Sequence, residues 1–423
     1  MPTREVAMKH TLIIILAALP LLFTGCDEAG DESAAEDAPP QVGEARVIGE
    51  GEDFEPRPLL DNPSLVWQYA VEGATPGLEH YTSGRLYCAL TGVGLFCLDG
   101  ETGDLVWESP EFGAPVFDEE AVYLHRYPGD GPGNLICRDL ETGDKRWNYA
   151  PSYQYRYNMV SLGGKLYLGV DMAMDVAGTE ADQRLLTIDK ATGEQVDQLA
   201  VQLNPSEPFY LMSVGDALYM RTRELRRLNP ESLGSLWGHR LPGNGLIDHA
   251  YDGESLYLLI GDHLERLDPD EGASQKLLKL PTRSGKLLYA SGHLYAAGER
   301  PDTGQSQLTC LAVEDDSIRW AMAFPGQIGA PVYLDGAVYV VVTTEHSGDW
   351  GYVDPLLEQY RDAGQDIELT NLVFSVYALD AAEGELLWRL DADFPLGELL
   401  AADGKLFLSA EGGRVFRLDP ALM

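Results

Sequence analysis

The sequence predicts an all-β fold: an eight-bladed β-propeller of four-stranded antiparallel blades, with the last blade closed by the N-terminal strand. Three observations carry this. An aromatic-centred strand recurs eight times from residue 84 onward. Each copy is followed by a second strand, a Gly or acidic turn and a third strand that often ends in Trp. The two ends of the array hold complementary fragments of one unit. Self-similarity of this kind must be read before any isolated motif is believed, because a repeated residue is first of all architecture.

The first strand reads "GRLYCAL" (84), "EAVYLHR" (120), "GKLYLGV" (164), "DALYMRT" (216), "ESLYLLI" (254), "GHLYAAG" (292), "GAVYVVV" (336) and "GKLFLSA" (404). A second strand follows and usually ends in an acidic residue, at Asp99, Asp139, Asp189, Asp268, Asp380 and Asp419, with Asn229 in the fourth copy. Turns such as "GETG", "LETG", "KATG" and "AAEG" lead to a third strand that ends in Trp107, Trp147, Trp237, Trp320 or Trp388. A short fourth strand, as in "GAPVF" (113) and "GAPVY" (329), enters the next copy. Period-two alternation, β-branched and aromatic enrichment and Gly punctuation all predict antiparallel strands. Residues 64–419 divide into eight units of roughly 44 residues, the length of a four-stranded blade. The eighth unit stops at "GRVFRLDPALM" without an outer strand, while an orphan Trp strand, "LVWQYAV", sits at 65–71. Joining the two closes the ring and removes a free sheet edge.

Ahead of the array, Lys9 and His10 precede the apolar run "TLIIILAALPLLF" (11–23), too short for a stable membrane span. It predicts a cleaved export signal over residues 1–25, with Met8 an alternative start to Met1. The run ends in "LLFTGC", which resembles the lipobox of bacterial lipoproteins and so implies lipidation at Cys26; Phe23 departs from the usual Leu. Residues 27–60 hold eleven acidic residues, two Arg and a single aromatic, Phe54. Such a composition does not bury enough apolar surface to offset its ordering entropy, so residues 26–60 are expected to be an acidic disordered tether and 61–423 the propeller. A net charge of −38 makes nucleic acid and anionic lipid surfaces poor partners.

The candidate sites separate from the architecture in stages. "DGETGD" (99–104) and "DLETGD" (139–144) mimic calcium loops but lack the alternating oxygen ligands, and the same slot reads "KATGEQ" and "AAEGEL" elsewhere, so turn chemistry explains them. Cys97, Cys137 and Cys310 fall where Ala378 stands in "YALD", a small-residue packing slot. If Gly92 and Val93 form a two-residue turn, Cys88 faces Cys97 in a non-hydrogen-bonded pair, which makes a disulfide across that hairpin geometrically admissible in an oxidising compartment. Arg227, Arg266 and Arg417 also occupy the small slot and either pair with acidic neighbours between blades or line an anion site. An insertion over 345–371 in the seventh unit carries Trp350, Tyr352, Leu357 and Tyr360. With longer connections at the same relative place in units two, three and six, it marks one face as the candidate binding face or as a lid over the channel.

The pattern of strand, "CLDGETGDLVW" or "YALDAAEGELLW", then strand resembles the pyrroloquinoline-quinone-type (PQQ-like) propeller repeat over nearly all of residues 64–419. Within that family, a lipid-anchored eight-bladed chain of this size is similar to the assembly factors of the outer membrane. The resemblance implies a non-catalytic scaffold, without cofactor, held by its lipid in the cell envelope on the periplasmic side or cell surface. Such a chain would bind envelope protein partners as a monomer within a complex. The alternatives are a PQQ-dependent or other redox enzyme and a periplasmic ligand or carbohydrate-binding sensor. The quinoprotein enzymes of the family imply an adjacent Cys-Cys pair over a longer chain, and no two cysteines are adjacent here. No "GxSxG", "HExxH" or "SxxK" stands in the sequence.

Overall fold

The computed structural model describes residues 45–48, 56–111, 113–126, 134–150, 155–172, 183–201, 209–242, 245–301, 303–346, 351–353, 355, 359 and 371–422. The strands assort into eight antiparallel sheets in chain order, the eight blades. Within a blade the inner strand comes first and the outer strand last; blade 1, for example, runs Gly77–Thr82, Arg85–Leu90, Gly94–Asp99, Leu105–Ser109.

Burial explains the sequence pattern. The two middle strands of a blade are covered on both faces by neighbouring blades, so they read as near-continuous apolar runs; every residue of Leu256–Ile260 is buried. Outer strands keep one face in water, and Leu65–Ala70 alternates between half-buried and exposed positions. The core is therefore a set of layers between blades. Among the described residues the buried apolar side chains fall into eight clusters, each spanning one joint between neighbours.

The ring closes as the sequence predicts. Leu65–Ala70 pairs antiparallel with Arg414–Leu418 and completes blade 8, with Trp67 opposite Arg417 and Tyr69 opposite Val415. The seam is sealed at both ends: Val71 N–H donates to the Gly413 carbonyl at 3.1 Å and Asp419 N–H to the Ser64 carbonyl at 2.8 Å. Gly413 is required there, because a Cβ would lie 1.6 Å from the Val71 carbonyl oxygen.

Two expectations need correction. The hairpin carrying Cys88 and Cys97 has a three-residue loop, Thr91–Val93, with Leu90 opposite Gly94. The extra residue shifts the register by one, so Cys88 faces Phe96 and Cys97 faces Tyr87. A one-residue slip flips side chains across the sheet, and the two cysteines lie in the cores of different joints as free thiols. The second correction concerns the tether. Within residues 26–60, Arg46–Val47 pairs in parallel with the outer strand of blade 6, Ile318–Phe324. Pro58 bridges Asp391 on the outer strand of blade 7, and Leu59 is 1% exposed within the core between blades 7 and 8. The described parts of the segment thus line the rim of blades 6 and 7 before entering blade 8. Local apolar contacts at Ile48 and Leu59 outweigh an acidic average composition.

Candidate binding surfaces

Alternating strand direction puts the first-to-second and third-to-fourth turns of each blade on one face, and the second-to-third and inter-blade connections on the other. The first face is built from turns whose polar groups are consumed locally. Asp99 Oδ1 accepts the N–H groups of Glu101 and Thr102, both at 3.0 Å, while Gly103 N–H donates to the Asp99 carbonyl at 2.8 Å. Asp139, Asp189, Asp268 and Asp380 repeat this geometry, and Asn229 serves in blade 4. Asp139 is held down to about 2, first by its bond from Arg146 and then by the Thr142 N–H. These are carboxylates tied into turns.

Seven joints share one repeated locking point among the described residues, the carbonyl of the residue after the turn Asp or its counterpart. Leu140 O accepts Tyr87 Oη at 3.0 Å and Trp107 Nε1 at 3.2 Å from blade 1. Ala381 O accepts Tyr295 Oη at 3.3 Å and Trp320 Nε1 at 3.0 Å from blade 6. Trp67, Trp147 and Trp237 bond the same carbonyl of their next blades. The three slot arginines do this work where the residue pattern changes. Arg227 reaches the Pro269 carbonyl at 2.8 Å and pairs with Asp270; Arg266 reaches the Val313 carbonyl at 2.9 Å and pairs with Asp316. Arg417 bonds the Glu101 carbonyl at 3.0 Å and its carboxylate at 2.6 Å. The arginines are therefore inter-blade ties, one of the two roles expected for them.

Cys97, Cys137 and Cys310 occupy the slot opposite the Tyr of their blades, whereas Cys88 lies on the neighbouring strand. Burial pushes the thiols of Cys97, Cys137 and Cys310 up to about 12, and that of Cys88 well above the ordinary range. Such thiols stay protonated and are poor nucleophiles or ligands.

Of the residues singled out in the insertion, Trp350, Leu357 and Tyr360 lie outside the described residues, as does Cys26. Tyr352 is described. It pairs with Leu372 through two backbone hydrogen bonds of 2.7 Å, its ring meets Phe374 edge-on at 6.2 Å, and it packs on the core between blades 7 and 8. It anchors the root of the insertion.

Sequence reasoning missed the polar contacts carried by the inner strands. Asn158 Nδ2 donates to Phe209 O at 2.8 Å and its Oδ1 accepts Leu211 N–H at 2.7 Å, joining blade 3 to blade 4. Asp248 accepts Leu287 N–H at 3.0 Å between blades 5 and 6, and Glu398 accepts Leu78 N–H at 3.2 Å between blades 8 and 1. Near Glu398, the Glu79 carboxyl is raised, by burial first and the second carboxylate next. Backbone bulges at the inner strands of blades 1, 5 and 8 place Glu79, Asp248 and Glu398, while Asn158 sits in regular pairing, and no short-range sequence signal marks them.

Two joints lack the Trp: blade 5 carries Gln275 at that position, opposite Arg266, and blade 3 departs further. In blade 3 the Trp position is Asp197, opposite Thr187, and only Tyr167 Oη reaches the carbonyl of the next blade, Pro230, at 3.0 Å. Beside it a cleft of about 420 Å³ opens between the outer strand of blade 3 and blade 4, lined by Leu185, Leu199, Met220, Leu228 and Leu233. The missing Trp in "TGEQVDQLA" was the signal available in the sequence.

The family profile described as "Outer membrane protein assembly factor BamB" matches residues 59–217. Among solved structures, BamB from Moraxella catarrhalis superposes with a TM-score of 0.54 at 14% identity, covering 84% of this chain and 99% of that one. The computationally designed Ika8 protein gives 0.57 at 13% identity, covering 84% and 99%. Quinohemoprotein alcohol dehydrogenase from Comamonas testosteroni gives 0.55 at 12% identity, covering 84% and 76%. At these identities the structural likeness concerns the fold. A search of curated protein sequences gives no match. Among the described residues no helix is long and apolar enough to cross a membrane.

Proposed function

Starting from a PQQ-like β-propeller that resembles BamB, we propose that the chain is a non-catalytic scaffold. It is lipid-anchored at Cys26 in the cell envelope and binds protein partners in outer-membrane protein assembly. In this reading residues 1–25 are the signal and the loop-rich face, with the insertion over 345–371, receives the partner. The observation that carries it is the fate of the polar repeat residues. The turn carboxylates, the slot arginines and the Trp N–H groups are taken up by turns and joints, which leaves the variable connections as the surface on which specificity can be built.

The likeness to a quinohemoprotein dehydrogenase keeps a redox reading in view. The residues here do not fit it: no two cysteines are adjacent, and Cys88, Cys97, Cys137 and Cys310 are each buried in blade strands. Two experiments test the proposal. Affinity capture from detergent-solubilised envelope should recover a β-barrel assembly component, and replacing residues 347–370 by a short turn should abolish that recovery. Recovery of none, or recovery unchanged by the replacement, contradicts the reading. Adding PQQ with calcium should leave no bound-cofactor absorbance after gel filtration; a stoichiometric chromophore would restore the enzyme alternative.

A further inference from the structure

The rim segment shows how this propeller accepts an added strand. Ile48 N–H donates to the Ala323 carbonyl at 3.1 Å, and Ile48 packs on the core between blades 6 and 7. One blade further, Leu59 N–H donates to the Asp391 carbonyl at 2.8 Å, and Leu59 is buried between blades 7 and 8. Ala323 and Asp391 are equivalent: each lies three residues after the Trp of its outer strand, Trp320 and Trp388. In both places an extended segment puts an aliphatic side chain into the joint while its backbone bonds the outer strand.

The equivalent residue of blade 3, three after Asp197, is Ala200, which lies opposite Arg184 as Ala323 lies opposite Gln307. Ala200 lines the cleft of about 420 Å³, with Leu199 and Val201 beside it and Leu228, Leu233 and Gly234 across the joint. Its strand, Gln195–Ala200, is exposed along its whole length. From this equivalence we infer a further docking site, on the rim between blades 3 and 4 and apart from the loop-rich face. It receives an extended protein segment that pairs in parallel with Gln195–Ala200 and seats one Leu, Ile or Val in the cleft. Main-chain bonds supply affinity and the single pocket supplies selectivity, as in other strand-addition sites. The exposed Glu194 and Asp197, on a chain of net charge −38, favour a Lys or Arg beside the aliphatic anchor.

The test uses the full chain and a fluorescein-labelled peptide, ARVIGK, made of residues 45–49 with a lysine appended, against ARVDGK as control. Anisotropy should show ARVIGK binding at least tenfold more tightly than the control. Gly234→Phe should fill the cleft from its lip and weaken ARVIGK at least tenfold. A Cβ at Gly234 meets only Ser232 Oγ, at 3.4 Å, so this variant should keep its melting midpoint. Leu199→Glu, at a position 40% exposed, should weaken the peptide similarly and serves as the second variant should the first misfold. Equal binding of the two peptides, or wild-type affinity in a folded variant, overturns the site.

Discussion

The joint between blades 6 and 7 and the joint between blades 3 and 4 use the same fold positions with opposite outcomes. At the first, Trp320 lies over Gly384, and Tyr295 and Trp320 both bond the Ala381 carbonyl. At the second, Asp197 replaces the Trp and Leu233 (φ +58°) occupies the turn position where other blades carry Gly. The joint between blades 5 and 6 makes the same exchange, with Gln275 at the Trp position and Asp316 (φ +56°) at the turn. The turn is left-handed in all three; what changes is whether a ring covers it. A Cβ on Gly384 would sit 2.5 Å from the Trp320 ring, so Gly is kept under a Trp. Where the ring is gone, a side chain enters at the cost of a strained φ. Leu233 then fills the joint at 2% exposure, while Asp316 pairs with Arg266.

The comparison can be broken in graded steps. Deleting residues 61–72 removes the outer strand of blade 8 and opens the ring, which should abolish cooperative melting; a truncated chain that melts like the intact one contradicts the closure. Trp320→Ala should cost about 3–5 kcal/mol in denaturant unfolding, whereas Asp197→Ala should stay within about 0.5 kcal/mol. Similar losses for the two would erase the distinction between joints. Gly384→Ala combines a clash with a left-handed φ and should cost about 1–3 kcal/mol.

The smallest effect is in acid. Burial lowers His125 to about 4, while an unfolded His titrates near ~6.5. Between these values the unfolded chain binds more protons, so this stabilisation is full above the unfolded value and is lost as pH falls toward 4. Burial lowers His80 and His249 as well. His125→Gln should therefore flatten, without abolishing, the drop in melting midpoint between pH 7 and 4.5; an unchanged drop would show that His125 does not contribute.

What the sequence revealed follows from what repeats. The Tyr strand, the acidic turn and the Trp strand recur because most joints are built from them, so blade number and closure by "LVWQYAV" could be read directly. The slot arginines were legible only as one of two roles, and their pairing with Asp270, Asp316 and Glu101 of the next blades selects the tie over the anion site. The rim segment was not legible, since Arg46–Val47 and Leu59 act through isolated contacts with distant strands and carry no periodicity. The Cys88 register failed on one residue of loop length. Among the proposed binding residues, Tyr352 is a core anchor, while Trp350, Leu357 and Tyr360 lie outside the described residues.

Hydrogen exchange tests the inequality of the joints most directly, by comparing two outer strands that carry no rim segment among the described residues, Gln195–Ala200 beside the cleft and Ser235–Arg240 held by Trp237. The inward-bonded amides of Gln195–Ala200 should exchange at least tenfold faster at neutral pH, reporting local opening at the joint without the Trp. Equal protection of the two strands would contradict the claim that the indole latch sets the strength of each joint.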